Sequence, residues 1–288
     1  MRAAINIKTV GIAGAGTMGQ GIAISCALAG YDTTLYDVNS DFCEKAINLI
    51  QGSLDHSVAK GKLTSAASDE AFNRITIANL LTDLKADLII EAVVENLEIK
   101  QKLFAELEGI NSGKAILATN TSSIPVSQIA AQLQNPLKCV GLHFFNPAHL
   151  MKLVEVISGS QTSVEIVAAM KQFAVSIGKV PVEVKDSPGF IVNRVARHFY
   201  VESLKVMEDQ VASFDTIDQL MKSAGFKMGP FELMDLIGID VNYAVTNSVY
   251  EGFNRISKFK PSEIQNQKIR IGQLGRKTGK GFYDYSKK

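Results

Sequence analysis

The sequence predicts an α/β protein: a doubly wound, largely parallel sheet in the first two-thirds of the chain and an all-α domain in the last third. Three observations lead there. A glycine-rich turn joins a short apolar strand to a helical stretch over residues 8–30, strand-like runs then alternate with helical ones to residue 145, and the strand signal stops after "VPVEVKD" near residue 186.

In order, "KTVGIAGAGTMGQGIAISCALAGYD" reads as a strand, a turn and a helix ending at Gly30, and "TTLYD" as a following strand that ends in Asp37. The turn fits GxGxxG, and its strand, helix and acidic residue make that weak pattern strong. Gly14 permits the tight turn, Gly16 lets backbone approach a pyrophosphate, and Gly19 allows close packing of helix on strand. With Thr17 and Met18, these glycines are the cofactor-contacting candidates of a Rossmann-type domain, the helix N-terminus facing the anion. Asp37 is placed to accept from the adenosine ribose hydroxyls and would repel a 2′-phosphate, and no arginine follows directly. NAD is therefore expected over NADP. The plain alternative is a packing turn without ligand.

Further strand-like runs are "RITIA" at 74–78, "DLIIEAVV" at 87–94, "AILATN" at 115–120 and "CVGLHFF" at 139–145, with helical stretches near 41–59, 98–108 and 125–134. Ligands of such sheets bind beyond the carboxyl ends of the strands. One crevice is therefore expected to collect Asp37, Glu95, Asn120, Ser122, His143 and Asn146, with Asn120, Ser122 and Asn146 on the cofactor side. Ser122 or Ser123 could instead cap the helix that begins in "IPVSQIA".

"KLVEVI" alternates as a strand does, so Leu153, Glu155 and Ile157 share one face. A carboxylate between two aliphatic neighbours is costly without a hydrogen-bonding partner. If this run lies antiparallel to "CVGLHFF" about a turn centred near residue 149, His143 falls opposite Glu155. Otherwise Glu155 is a solvated edge residue and His143 an ordinary core histidine.

The helical part opens with "SPGFIVNRVARHFYVESLKVMED", read as one long helix begun at its proline. Helical composition continues to about residue 273, interrupted by "GFKMGP" and "LIGID". The boundary is placed near 186, giving domains 1–186 and 187–288. Asn193 lies one turn into the long helix, beside the expected domain cleft, or else is a surface or capping amide.

Composition narrows the function. The chain has 288 residues, 46% hydrophobic, with a net charge of +1, so no overall field draws it to nucleic acid or an anionic membrane. Cys26, Cys43 and Cys139 are few, odd in number and widely spaced, which fits neither a disulfide framework nor a metal site. A reducing, cytoplasmic setting is expected. The N-terminus lacks a signal-peptide core, the first motif leaves no room for a transit peptide, and no run reads as a membrane span.

With "ENLEIK", "NTSSIP", "GLHFFNP", "MKLVEV", "DSPGFIVNR", "MGPFELMD" and "GRKTGKGFYDY" in order after the fingerprint, essentially the whole chain resembles the L-3-hydroxyacyl-CoA dehydrogenase family, most of all its short bacterial-type 3-hydroxybutyryl-CoA members. The resemblance implies that His143 is the catalytic base, Glu155 its orienting partner, and Ser122 and Asn193 the groups that hydrogen-bond the reacting oxygen. It implies that Glu95, Lys100 and Lys277 touch NAD, that Ser53, Lys60 and Lys62 bind the coenzyme A portion of an acyl-CoA substrate, and that the protein is a homodimer. "KGK" reads equally well as a solvated helix end. His56, His149 and His198 match no motif. Two other functions remain: a dehydrogenase of a non-thioester hydroxy acid or sugar acid on the same fold, and a non-catalytic NAD-binding scaffold. The complete set of Ser122, His143, Glu155 and Asn193 argues against the scaffold, which needs none of them.

Overall fold

A computed structural model describes residues 5–286, which fall into two compact units divided between Asp186 and Ser187. The first unit is built on eight strands: β1 (Thr9–Ala13), β2 (Asp32–Tyr36), β3 (Ile75–Ile77), β4 (Leu88–Glu91), β5 (Ile116–Thr119), β6 (Cys139–Phe144), β7 (Leu153–Ser158) and β8 (Val180–Lys185). They form one sheet in the order β3-β2-β1-β4-β5-β6-β7-β8. β3 to β6 are mutually parallel, β7 is antiparallel to β6, and β8 is parallel to β7. The order reverses between β1 and β4, the switch point at which doubly wound sheets open a ligand crevice.

Six helices join these strands: α1 (Thr17–Leu28), α2 (Ser40–Ala59), α3 (Ser65–Asn73), α4 (Leu97–Ile110), α5 (Val126–Ile129) and α6 (Val164–Ser176). Val10, Ile12, Leu88, Ile90, Ile116, Val140, Leu142, Val154 and Val156 alternate along their strands and share one core with apolar residues of α1, α2, α3 and α6. Period-two alternation in the strands thus meets period-3.6 stripes in the helices. Helix α6 buries Ile166, Val167, Met170, Phe173 and Ala174, spaced for one helical face, and Ser163 caps it by accepting from the Ile166 amide. Neither α6 nor α3 was among the helical stretches expected from sequence.

Other boundaries shift for local reasons. The run at 87–94 is strand only to Glu91, because the Glu91 carboxylate accepts from the Val93 amide at 2.7 Å and turns the chain. The expected cap at Ser122 or Ser123 is not made. Asp186 takes that role, accepting from the Val126 and Ser127 amides at 3.0 and 2.8 Å from 59 or more residues away, while both serines turn towards Glu95.

The second unit holds α7 (Val192–Glu208), α8 (Phe214–Ser223), α9 (Pro230–Ile237), α10 (Ile239–Gly252) and α11 (Glu263–Arg270). The long helix does not begin at Pro188. Gly189 and Phe190 have φ of +71° and +50°, and two left-handed residues cannot continue a right-handed helix. Helix α7 therefore starts at Val192, and Asn193 is its second residue, not one turn in. Tyr200, Leu204, Ile217, Phe231, Met234, Ile239 and Phe282 make this unit's own core. Among the described residues no helix is long and apolar enough to cross a membrane.

Two buried aspartates tie the C-terminal segment to this unit. Asp235, 1% exposed, accepts from the Phe282 and Tyr283 amides at 2.9 Å each and from the Tyr285 hydroxyl at 3.1 Å. Asp218 accepts from the Phe231 and Glu232 amides and the Tyr283 hydroxyl. The "MGPFELMD" and "GKGFYDY" motifs thus lock onto each other. Asp235→Ala would strand three donors, each costing about 1–3 kcal/mol when buried. A loss of about 3 kcal/mol or more is expected in chemical denaturation of the second unit; a loss under about 1 kcal/mol would contradict the locking role.

Candidate active site

The fingerprint turn has the form expected of a dinucleotide cradle. Gly14 sits at φ +113° and its amide donates to the Tyr36 carbonyl at 2.7 Å, closing β1 onto β2. A side chain there would strike the backbone of Ala92, and one at Gly19 would strike the Gly14 carbonyl, so both positions require glycine. Gly16 is the N-cap of α1, with no side-chain cap, no acidic residue in the first turn, and open space where a side chain would stand. The uncapped amides of Thr17, Met18 and Gly19 are therefore directed at an open, anion-favouring surface.

Asp37 follows β2 and closes the turn from the other side. Its Oδ2 accepts from the Ala15 amide at 2.8 Å and its Oδ1 from the Asn39 amide at 3.1 Å. Each oxygen keeps a second lone-pair direction for a ribose hydroxyl. The pyrophosphate and ribose parts of a dinucleotide both fit the residues present.

At the opposite end of the parallel set, the antiparallel register of β6 and β7 pairs Gly141 with Ile157, Leu142 with Val156, His143 with Glu155 and Phe144 with Val154. His143 and Glu155 are 5% and 1% exposed, and the imidazole Nδ1 lies 2.8 Å from the Glu155 carboxylate. An ionised carboxylate can only accept, so with Glu155 ionised a neutral ring would carry its hydrogen on Nδ1. Phe145 packs on the ring with centroids 4.5 Å apart, restricting its rotation.

The loop after β5 carries Asn120 to Ser123 and is held on both sides. The Asn120 side-chain oxygen accepts from the Phe144 amide at 2.8 Å, one residue beyond His143. On the other side Glu95 Oε1 accepts from the Thr121 hydroxyl at 2.6 Å, the Ser122 amide at 3.0 Å and the Ser123 amide at 3.2 Å, with both serine hydroxyls within 3.4 Å. Burial alone would raise the Glu95 pKa, but Lys100 and these donors together hold it below the ordinary range.

Lys100 is itself 1% exposed, its ammonium 2.5 Å from Glu91 and 3.2 Å from Glu95. Through Glu95 it is linked to the 121–123 loop. Asn146 is exposed beyond β6. Ser53, on α2, lies 3.4 Å from the Nε2 of His149, so the histidine outside every motif meets a residue expected to bind coenzyme A. Lys60 and Lys62 are exposed around Gly61 in the turn that ends α2. In the second unit, Lys277 pairs with Asp240 at 2.7 Å, beside the α9–α10 junction. Glu91, a carboxylate closing the apolar run "DLIIE", belongs to none of the sequence motifs, although the same cost of burial that singles out Glu155 applies to it.

Residues 9–187 match the model of the 3-hydroxyacyl-CoA dehydrogenase NAD-binding domain, and residues 189–285 that of the 3-hydroxyacyl-CoA dehydrogenase C-terminal domain. The chain belongs to the 3-hydroxyacyl-CoA dehydrogenase family. NAD is accordingly the cofactor that the cradle takes. Among its relatives, an Escherichia coli protein named 3-hydroxyadipyl-CoA dehydrogenase is 46% identical over 98% of this chain, which spans only 60% of that relative's length. A Bacillus subtilis protein named probable 3-hydroxybutyryl-CoA dehydrogenase is 39% identical over 99% of both chains. A crystal structure of (S)-3-hydroxybutyryl-CoA dehydrogenase from Ralstonia eutropha superposes with a TM-score of 0.93 at 40% identity, covering 97% of this chain and 99% of that one.

Asp37→Ala is expected to lower the NAD-to-NADP ratio of kcat/KM about tenfold, through loss of hydrogen bonds to a charged group worth about 1.5–3 kcal/mol. An unchanged ratio in a folded variant would remove Asp37 from cofactor selection.

Proposed function

We propose that this chain is an NAD-dependent dehydrogenase interconverting (S)-3-hydroxyacyl-CoA and 3-oxoacyl-CoA, with His143 as general base and acid. The observation that carries the proposal is the buried Nδ1 to Glu155 contact of 2.8 Å at the carboxyl end of the sheet. Family membership supports the reaction class, and the names of the relatives support a short acyl chain such as hydroxybutyryl. The three buried free cysteines are in keeping with a reducing, cytoplasmic setting.

NAD, when bound, supplies the hydride acceptor for oxidation and, reduced, the hydride donor for the reverse. The chain's own part is the proton. With Nδ1–H committed to Glu155, Nε2 takes the proton of the substrate hydroxyl as the alkoxide develops. Glu155 stabilises the imidazolium that results, as the aspartate of a serine protease triad does. In reduction the imidazolium returns the proton to the forming hydroxyl. Ser122, on the loop tied to β6 through Asn120, holds the reacting oxygen in line. Asn193 joins this reading by resemblance alone.

The test follows NADH absorbance with acetoacetyl-CoA, beside NADPH and unesterified acetoacetate. Rapid oxidation of NADH with the thioester alone is expected. No thioester turnover despite NADH binding would discard the reading in favour of free hydroxy acids or a binding role. The name of the Escherichia coli relative makes a dicarboxylic thioester, 3-oxoadipyl-CoA, the substrate to compare. His143→Gln and Glu155→Gln are each expected to lower kcat about 10²–10⁴-fold, the contribution typical of general base catalysis. Ser122→Ala is expected to lower it at least about tenfold, with NADH binding kept. Full activity in any of the three would remove that residue's role.

The proposal includes a homodimer. Leu236, Ile237 and Val241, on α9 and α10, are 49%, 41% and 47% exposed, an apolar surface suited to self-association. Light scattering is expected to give about twice the 31.2 kDa chain mass; a monomer would refute it.

A further inference from the structure

Glu91 is fully buried at the end of β4, and its carboxylate accepts from three donors. Oε1 accepts from the Lys100 ammonium at 2.5 Å and the Val93 amide at 2.7 Å, and Oε2 from the Thr119 hydroxyl at 2.7 Å. The Thr119 oxygen accepts in turn from the Thr121 amide at 3.2 Å, so its own hydrogen is committed to Glu91. Burial raises the Glu91 pKa, and Lys100, Thr119 and the Val93 amide pull against that rise.

Both oxygens lead to the same place. From Oε1, Lys100 bridges to Glu95, and Glu95 gathers the hydroxyls and amides of Thr121, Ser122 and Ser123. From Oε2, Thr119 reaches the backbone at Thr121. A buried ion pair costs several kcal/mol of desolvation per ion and is weak evidence for stability as such. Its place here is directly beneath the loop that carries Ser122.

We propose that Glu91 is a positioning residue for Ser122, acting along two routes, Lys100 with Glu95 and Thr119, that converge on the 121–123 loop. This rests on the role given to Ser122 above. Glu91 touches neither substrate nor cofactor; it fixes the charge on which Glu95 is anchored. Glu91→Gln keeps the shape but offers Lys100 a neutral partner, and Thr119→Val cuts the second route alone.

The test is a double-mutant cycle with Ser122→Ala, read as kcat at saturating NADH and acetoacetyl-CoA, together with amide exchange at Ser122 and Ser123. Glu91→Gln is expected to lower kcat about tenfold and Thr119→Val about threefold, and both factors are expected to vanish in the Ser122→Ala background, the non-additivity of groups acting as one unit. Exchange at the two amides is expected to quicken at least about tenfold in Glu91→Gln. Equal factors in both backgrounds, or unchanged exchange, would overturn the proposal. Should Glu91→Gln fail to fold, Thr119→Val decides by the same two readouts. Wild-type protein inactive on the thioester would sink the proposed reaction, and the exchange measurement would still decide whether Glu91 holds the loop.

Discussion

The candidate site depends on one reversal of chain direction. Six parallel strands would carry their polar ends to one edge and leave each separate from the next, but β7 runs antiparallel to β6 and so sets Glu155 directly across from His143. In an antiparallel pair, opposed residues lie close enough for side chains to meet without either reaching. A one-residue slip would send Glu155 to the other face and leave an unpaired charge among Val154, Val156 and their partners. The register is therefore held by the same burial that makes the pair necessary.

The second buried carboxylate follows the same rule at the neighbouring edge. Glu91 ends β4 as Glu155 occupies β7, and each is satisfied by a cationic or ionisable partner from a different element: Lys100 on α4 for one, His143 on β6 for the other. Between them lies the loop from Asn120 to Ser123, tied to β6 through the Phe144 amide and to α4 through Glu95. The serine of that loop is thus located by groups on both sides. Glu91 and Lys100 form the buried base of this network, and Glu95, 37% exposed, carries it out to the loop.

Much of this was legible in the residues. The fingerprint, Asp37 and the apolar alternation gave β1, α1 and β2 because each carries its own local signal, whereas alternation and the cost of burying a charge left the pairing of His143 with Glu155 as one of two readings, which the family resemblance favoured and the β6–β7 register makes. Helix α6 went unread although Ser163 and the spacing of Ile166, Met170 and Phe173 announce it. The start of α7 and the cap of α5 were misjudged for another reason. The first turns on the left-handed Gly189 and Phe190, the second on Asp186, which is far away in sequence, and neither is visible to a local pattern. Glu91 was readable by the argument applied to Glu155; its links to Lys100 and Thr119 needed the fold, since they join two strands and a helix.

The central claim is that Glu155 fixes the tautomer of His143. It is tested most directly by nitrogen-15 NMR of imidazole-labelled protein, reading which ring nitrogen carries hydrogen in the neutral state. The expected result is hydrogen on Nδ1 with a strongly downfield proton resonance that is lost in Glu155→Gln. A neutral ring protonated on Nε2, or an Nδ1 signal indifferent to the substitution, would contradict it.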